Sequence, residues 1–362
     1  MTAPISNPGS HSFAERINRV YADLRRDGVP VADMRRAPAM ELQFAGAGQL
    51  GVRSAAGGAR TGIEPVEGHI VARRIPVIAP RDSQLRYFLD GAQRTFAVMR
   101  AGLIPVAATV VAAGVLRRDP TGDGVLEPGT MALEHCWLIP GIADPMLDDL
   151  RARVQAAGMT VVDPLRNHDV GDEDTGFDYG RLHELAYTAA SDERSRVEKD
   201  VLDRWTRRPE WRLDNDDWIV VDGRLEIPDL RTIGLAKQFT EMYLTGEDAV
   251  TLLGLPPGYR TTAFAAGATR YRGEAASERI MWYIRLWDAE GMDARHSLVR
   301  IEAPASVVTT EEIDQISSWI LAERTPRATG DARWATLLYP VHLLERMLKR
   351  RLDVDTRGWP GA

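Results

Sequence analysis

The stretch "YFLDGAQRTF", residues 87–96, decides how the chain is read. An apolar run climbs to Leu89, and an aspartate and a glycine follow with no polar lead-in. A carboxylate at the end of a buried strand is costly unless a cation meets it there. The same theme returns in "DDWIVVDGRL" (216–225), where Asp222 follows an apolar run and precedes Gly223. An Asp-Gly pair on its own reads as the start of a tight turn. Two of them, each after a buried run, suggest carboxylates that the fold brings together. Adjacent carboxylates repel unless they are protonated or bridged by a divalent cation. Two-metal phosphoryl chemistry uses such a cluster of oxygen ligands.

Outward from Asp90 the chain reads as neighbouring strands. The segments 69–80 and 84–92 are strand-like, and "QRTFAVMRAG" continues into an adjacent hairpin. "LIPVAATVVAAGVL" (103–116) is the longest apolar run, too short for a membrane helix and rich in β-branched residues, so it reads as a buried strand. Helical stripes follow at 144–158, capped by Asp144 with Pro145 in the first turn, and at 178–208. Residues 12–27 form an earlier helix, and 309–323 a later one with a Thr cap. Segments 231–239, 279–287 and 296–304 read as strands, the first running into a helix, and 333–352 as a Pro-interrupted helical tail. The Gly- and Ala-rich 44–62 reads as a linker, because no Gly-Lys-Ser/Thr follows it to make a phosphate loop. The order of strands, helix and mixed units predicts an α/β or α+β core without a clear internal break.

Bulk properties narrow the function. The 362 residues carry 27% charged residues and a net charge of −7, so unaided, non-specific DNA binding through a basic excess is disfavoured. One cysteine, Cys136, rules out an internal disulfide and a Cys-based zinc site built from a single chain. His135 beside Cys136 suggests thiol chemistry, but the pair reads as a strand segment pointing to opposite faces. Neither a zinc helix nor a Gly-x-Ser-x-Gly nucleophile turn is present. The absence of a signal peptide and of a membrane-length apolar run predicts a cytoplasmic protein.

Taken in order, "YFLDGAQRTF", "WIVVDGRL", "IGLAKQF", "MWYIRL…VRIEAP" and "LLYPVHLLERML" resemble the NurA-type nucleases, over about residues 84 to 350. The resemblance implies an α/β fold: an RNase H-like mixed central sheet flanked by helices, with N-terminal and C-terminal helical additions. It divides the chain into an N-terminal helix and linker (1–68), a nuclease domain (69–352) and a short tail (353–362). It also implies DNA cleavage with Mn2+ or Mg2+ beside a HerA-type hexameric translocase, in DNA repair or phage defence, and a homodimer. Carried over by position, Asp90 and Asp222 would be metal ligands. The glutamate of the intervening helix would be Glu198, with Glu193 and Glu184 in reserve, since Val201 and Leu202 set Glu198 at the border of an apolar face. Lys237 would lie near the scissile phosphate. Arg207, Arg208 and Arg212 would line a DNA groove, with Arg346, Lys349, Arg350 and Arg351 as a second basic group. Glu302 is another buried-strand acid, for which Arg300 offers a partner. Two positions depart from the family pattern: Ala92 stands where the family has a serine, and Met347 where it has His or Asp, with His342 and Glu345 close by. The missing C-terminal ligand supports an alternative, a catalytically weak RNase H-like scaffold that binds the translocase, which the intact pair of aspartates opposes. An Argonaute-like guide-binding module shares the core fold, but the length leaves little space for guide-anchoring domains.

Overall fold

The computed structural model describes residues 11–44, 62–119, 123–166, 178–209, 211, 216–226, 228, 231–237, 242–266, 279–307, 309–325 and 334–361. Arg212 and most of the 44–62 linker lie outside the described residues. The described chain is mixed α/β, with a large mixed sheet flanked by helices.

At the centre is β4 (Leu85–Ala101), a 17-residue strand, which turns at Gly102 into the antiparallel β5 (Ile104–Arg118). This corrects two expectations. Segments 84–92 and 93–101 form one strand, and Asp90 lies inside it rather than at its end. The Asp90-Gly91 pair makes no turn because both residues stay in register with Gly114 and Ala113 of β5. What ends beside Asp90 is its other neighbour, β9 (Trp218–Asp222), which runs parallel to β4 with Leu89 opposite Val221. Parallel to β9 lies β10 (Thr232–Ala236), with Leu235 opposite Asp222.

Beyond β5 the sheet continues through β7 (Ala132–Leu138) to β8 (Thr160–Val162), joined by helix α3 (Pro145–Ala156). Asp144 caps that helix by accepting from the Met146 and Leu147 amides. The other flank runs from β10 through β14 (Leu298–Pro304), β13 (Arg279–Arg285) and β12 (Phe264–Ala266) to β2 (Ile63–Pro65), all antiparallel. Short strands β1 (Val31–Asp33), β3 (Ala72–Arg74), β6 (Gly124–Leu126) and β11 (Tyr259–Thr261) attach at the margins. The strand expected over 69–80 therefore shrinks to three residues, since only these pair with β11.

Helices α1 (Phe13–Arg26), α6 (Thr310–Ala322) and α7 (Tyr339–Asp355) pack on one face, over Phe88, Ala92 and Phe96 of β4. Ser12 and Thr309 open α1 and α6 with capping boxes. Pro340 does not interrupt the last helix but begins it, where its missing N–H costs nothing. Long helix α4 (Tyr179–Thr206) covers the other face, setting Val197, Val201, Leu202 and Trp205 on Leu89, Val111, Val115 and Ile219. Two short helices, α2 (Glu41–Phe44) and α5 (Glu247–Leu253), and single 3-10 turns at Pro80–Asp82 and Trp334–Thr336 complete the described elements. Residues before the boundary drawn at 69 join the same sheet through β2, and Trp359 of the tail packs edge-on against Phe13.

Candidate active site

Side chains alternate along a strand, so Asp90 shares the face of Phe88 and Ala92, whereas Gly91 shares the α4 face with Leu89. Asp222 follows Val221 and Val220 in the same manner and emerges on the Asp90 face where β9 stops. Lys237, two residues past Leu235, reaches that point from β10: its Nζ donates to Asp222 Oδ2 at 2.6 Å. The two strand aspartates and the lysine, distant in sequence, are brought to one level because β9 and β10 run parallel to β4 and stop beside Asp90, which lies within β4.

Glu198 arrives from the opposite face. Its carboxylate lies on the Gly91 backbone, and a β-carbon at position 91 would stand 2.8 Å from Glu198 Cγ and closer still to Oε1. Glycine at this place is thus a requirement of close approach. Arg194, one turn earlier on α4, sets its Nε 3.8 Å from Glu198 Oε1. Of the reserve glutamates, Glu193 is buried but bound to Arg196 at 2.7 Å, and exposed Glu184 pairs with Arg181. Of the three helical candidates, Glu198 is the one that lies on Gly91 and whose charge reaches Asp90.

The electrostatics reflect the crowding. Burial pushes the Asp90 carboxyl well above the usual carboxylate range, and the charge of Asp222 adds to this. Lys237 and Arg194 pull it back, and the Gly91 amide donates to Asp90 Oδ1 at 2.8 Å. Burial likewise lifts Glu198 to about 7, against the opposing pull of Arg194, the Gly91 amide and Lys237. The Arg194 guanidinium is opposed by its own burial, yet Glu198, Asp90 and Asp222 together raise its pKa above the ordinary value.

Among the described residues no group of three or more His, Cys, Asp or Glu side chains is gathered closely enough to hold a metal ion as it stands. Two of the three carboxylates are engaged by other partners, and Glu198 lies on the other face of the sheet. Lys237 holds Asp222, and Glu198 is turned to the Gly91 backbone and Arg194. The donor set nevertheless suits a hard divalent cation, being carboxylate oxygens from three separate elements. Glu198 Oε1 is buried with no hydrogen-bond partner, an oxygen that a cation would satisfy.

Other expected residues fall elsewhere. Arg207 and Arg208 lie nine and ten positions beyond Glu198, ~14 Å away along the helix. Arg207 pairs with Asp203 at 2.9 Å, and Arg208 stacks 4.6 Å over the Trp205 ring. On α7, Met347 packs against the hydrophobic core and Glu345 binds Lys349 at 2.7 Å, while Arg346, Arg350 and Arg351 are exposed.

One part of the arrangement was not legible in the sequence. Gly223, at φ +121°, reverses the chain after Asp222. The returning segment lies on Gly234, where a β-carbon would stand 2.7 Å from the Leu225 nitrogen. Glu302 accepts from the Leu225 N–H at 3.1 Å, and Arg279 donates to the Leu225 carbonyl at 2.6 Å. Arg300 neutralises Glu302 at 2.8 Å. Glu302 therefore clamps the turn that carries Asp222. Its signal in the sequence was a carboxylate within an apolar strand; its partner, a backbone amide from another element, left no signal.

No protein-family model matches the chain, and the curated proteins compared with it give no match.

Proposed function

We propose that the protein is a metal-dependent DNA nuclease of the NurA type with an RNase H-like core, working with a HerA-type hexameric translocase as a dimer. The observation that carries the reading is a buried Asp90 that feels the charge of Asp222 where the parallel strands β9 and β10 stop, with Lys237 on Asp222 and Glu198 over Gly91. The topology supports it: an antiparallel meander β4–β5–β7, a long crossover helix α4, then β9 and β10 parallel to β4.

In this reading Asp90 and Asp222 hold Mn2+ or Mg2+ from the strands, and Glu198 completes the oxygen set from the helix. When bound, the metal supplies Lewis acidity to a phosphodiester oxygen and a water of lowered pKa. Lys237 contributes a compact positive charge toward the phosphate. The chain's net charge of −7 leaves most DNA affinity to the translocase, which would feed the strand to the site. Arg207 and Arg208 would contact the DNA more than a helical turn away from the carboxylates.

The test is cleavage of linear DNA with manganese, with and without a HerA-type ring. Asp90→Asn and Asp222→Asn should each reduce cutting by at least ~100-fold, as expected when transition-state charge stabilisation is lost. Metal-dependent cutting that persists in either variant would overturn the assignment. The core-packed Met347 favours one second reading, a catalytically weak scaffold of the same fold, because the resemblance puts a ligand there. A scaffold would still bind the ring but would gain no thermal stability from manganese.

A further inference from the structure

Lys237 is seated where a metal would compete with it. Leu235 lies opposite Asp222 in the β10–β9 register and packs in the same core cluster as Val220. Lys237, two residues further on, extends along that face past the end of β9. Its side chain is only 11% exposed, and Nζ stands 2.6 Å from Asp222 Oδ2. A lysine this enclosed requires an anion, and among the described residues Asp222 is the one that accepts its hydrogen bond, while Asp90 and Glu198 also feel its charge. The site therefore carries two cations of its own, Lys237 on Asp222 and Arg194 on Glu198, against three carboxylates.

The two cations differ in freedom. Arg194 and its partner share one helix, four residues apart, so their pairing survives as long as α4 does. Lys237 bridges two strands through a flexible four-carbon stem and presents a single point charge, which can swing to another anion without moving the backbone. A divalent cation that takes Asp222 as ligand competes for the oxygen that Lys237 holds, and brings its own positive charge next to the ammonium.

We propose that Lys237 is a built-in counter-ion which a divalent cation displaces from Asp222, and that the released ammonium then binds a phosphate of the nucleic acid. The idea rests on the nuclease reading above and adds a coupling between its parts. In the metal-free protein Lys237 keeps Asp222 neutralised. Metal and lysine oppose each other at Asp222; metal and phosphate assist each other through Lys237. Such coupling is reciprocal, so removing the lysine must strengthen metal binding. A lysine that only opposes the metal's charge would strengthen metal binding on removal but would leave nucleic-acid binding in the presence of metal unchanged, so the two effects must appear together.

The experiment is a titration of manganese alone into wild-type protein and Lys237→Met, by calorimetry or by the electron paramagnetic resonance of free Mn2+. Melting in EDTA first establishes that each is folded. We expect manganese affinity to rise roughly tenfold in Lys237→Met, within the ordinary range of coupling between sites. Binding of a fluorescent oligonucleotide in calcium should weaken in the same variant and stay unchanged in EDTA. Equal or weaker manganese binding by Lys237→Met, beside a wild type that binds, overturns the displacement while leaving the nuclease reading intact. No manganese binding by either protein overturns both. Should Lys237→Met not fold, Lys237→Gln carries the same comparison, since it loses the charge but keeps a donor for Asp222.

Discussion

Glu198 is buried against a glycine backbone with one oxygen lacking a hydrogen-bond partner, and its pKa near 7 makes stability depend on pH. Below its ordinary value of 4.5 the carboxyl is protonated in both folded and unfolded chains and costs nothing. Between 4.5 and about 7 the unfolded chain releases the proton that the fold retains, so this contribution to stability is lost as pH rises. Above that window the penalty is complete, about 3 kcal/mol for a shift of this size. Glu198→Gln, neutral throughout, should therefore be more stable than wild type in urea at pH 8 in EDTA, with the gap closing by pH 4.5. A gap that does not change with pH would mean that the burial of Glu198 carries no charge penalty. With manganese present the order should reverse, because only the wild type offers the third carboxylate.

At the scale of elements, the site depends on where β9 stops and how the chain leaves it. The turn after Asp222 lies on Gly234, and the atoms nearest a new β-carbon are the Leu225 nitrogen and β-carbon and the Gly223 carbonyl, none of which can move without the backbone. Gly234→Ala should cost about 1–3 kcal/mol from overpacking. Hydrogen exchange at the Leu225 amide should quicken as its bond to Glu302 lengthens. Unchanged exchange there, in a variant that is destabilised, would show that the clamp does not govern the turn.

Across the whole molecule, the segment before residue 69 is tied to the far flank of the sheet by a buried ion pair. Arg260 is fully buried; it donates through Nη1 and Nη2 to Glu67 at 2.6 and 2.9 Å and through Nε to Asp314 at 2.6 Å. Glu67 also accepts from the Ala263 amide at 2.7 Å. Glu67→Ala leaves Arg260 short of a buried partner, and should cost about 3–5 kcal/mol, measurable as a lowered denaturation midpoint. The proposed site is remote from this pair, so the folded variant and the wild type should behave alike in a manganese titration. Opposite ends of the chain also close on β4, where Phe13 and Trp359 pack around Phe96.

Local features were decided by the sequence itself. The periodicity of 12–27, 144–158 and 178–208, the Asp144 and Thr309 caps, and the apolar strands at 103–116 and 296–304 act within a few residues and appear where expected. Asp90 and Asp222 were legible as carboxylates out of place, since an acid in an apolar run demands a partner wherever it lies. Tertiary structure decided the rest. Whether Asp90 ended a strand or sat within one depended on β5 pairing past it, a contact between segments whose apolar pattern is the same in both cases. The approach of Glu198 to Gly91, and of Leu225 to Gly234, required the packing of elements far apart in the chain. Short strands such as β3 and β11 exist because they pair with each other, and three residues carry too little pattern to announce it. Lys237 looks like any lysine in the sequence; the parallel register of β9 and β10 sets its ammonium on Asp222.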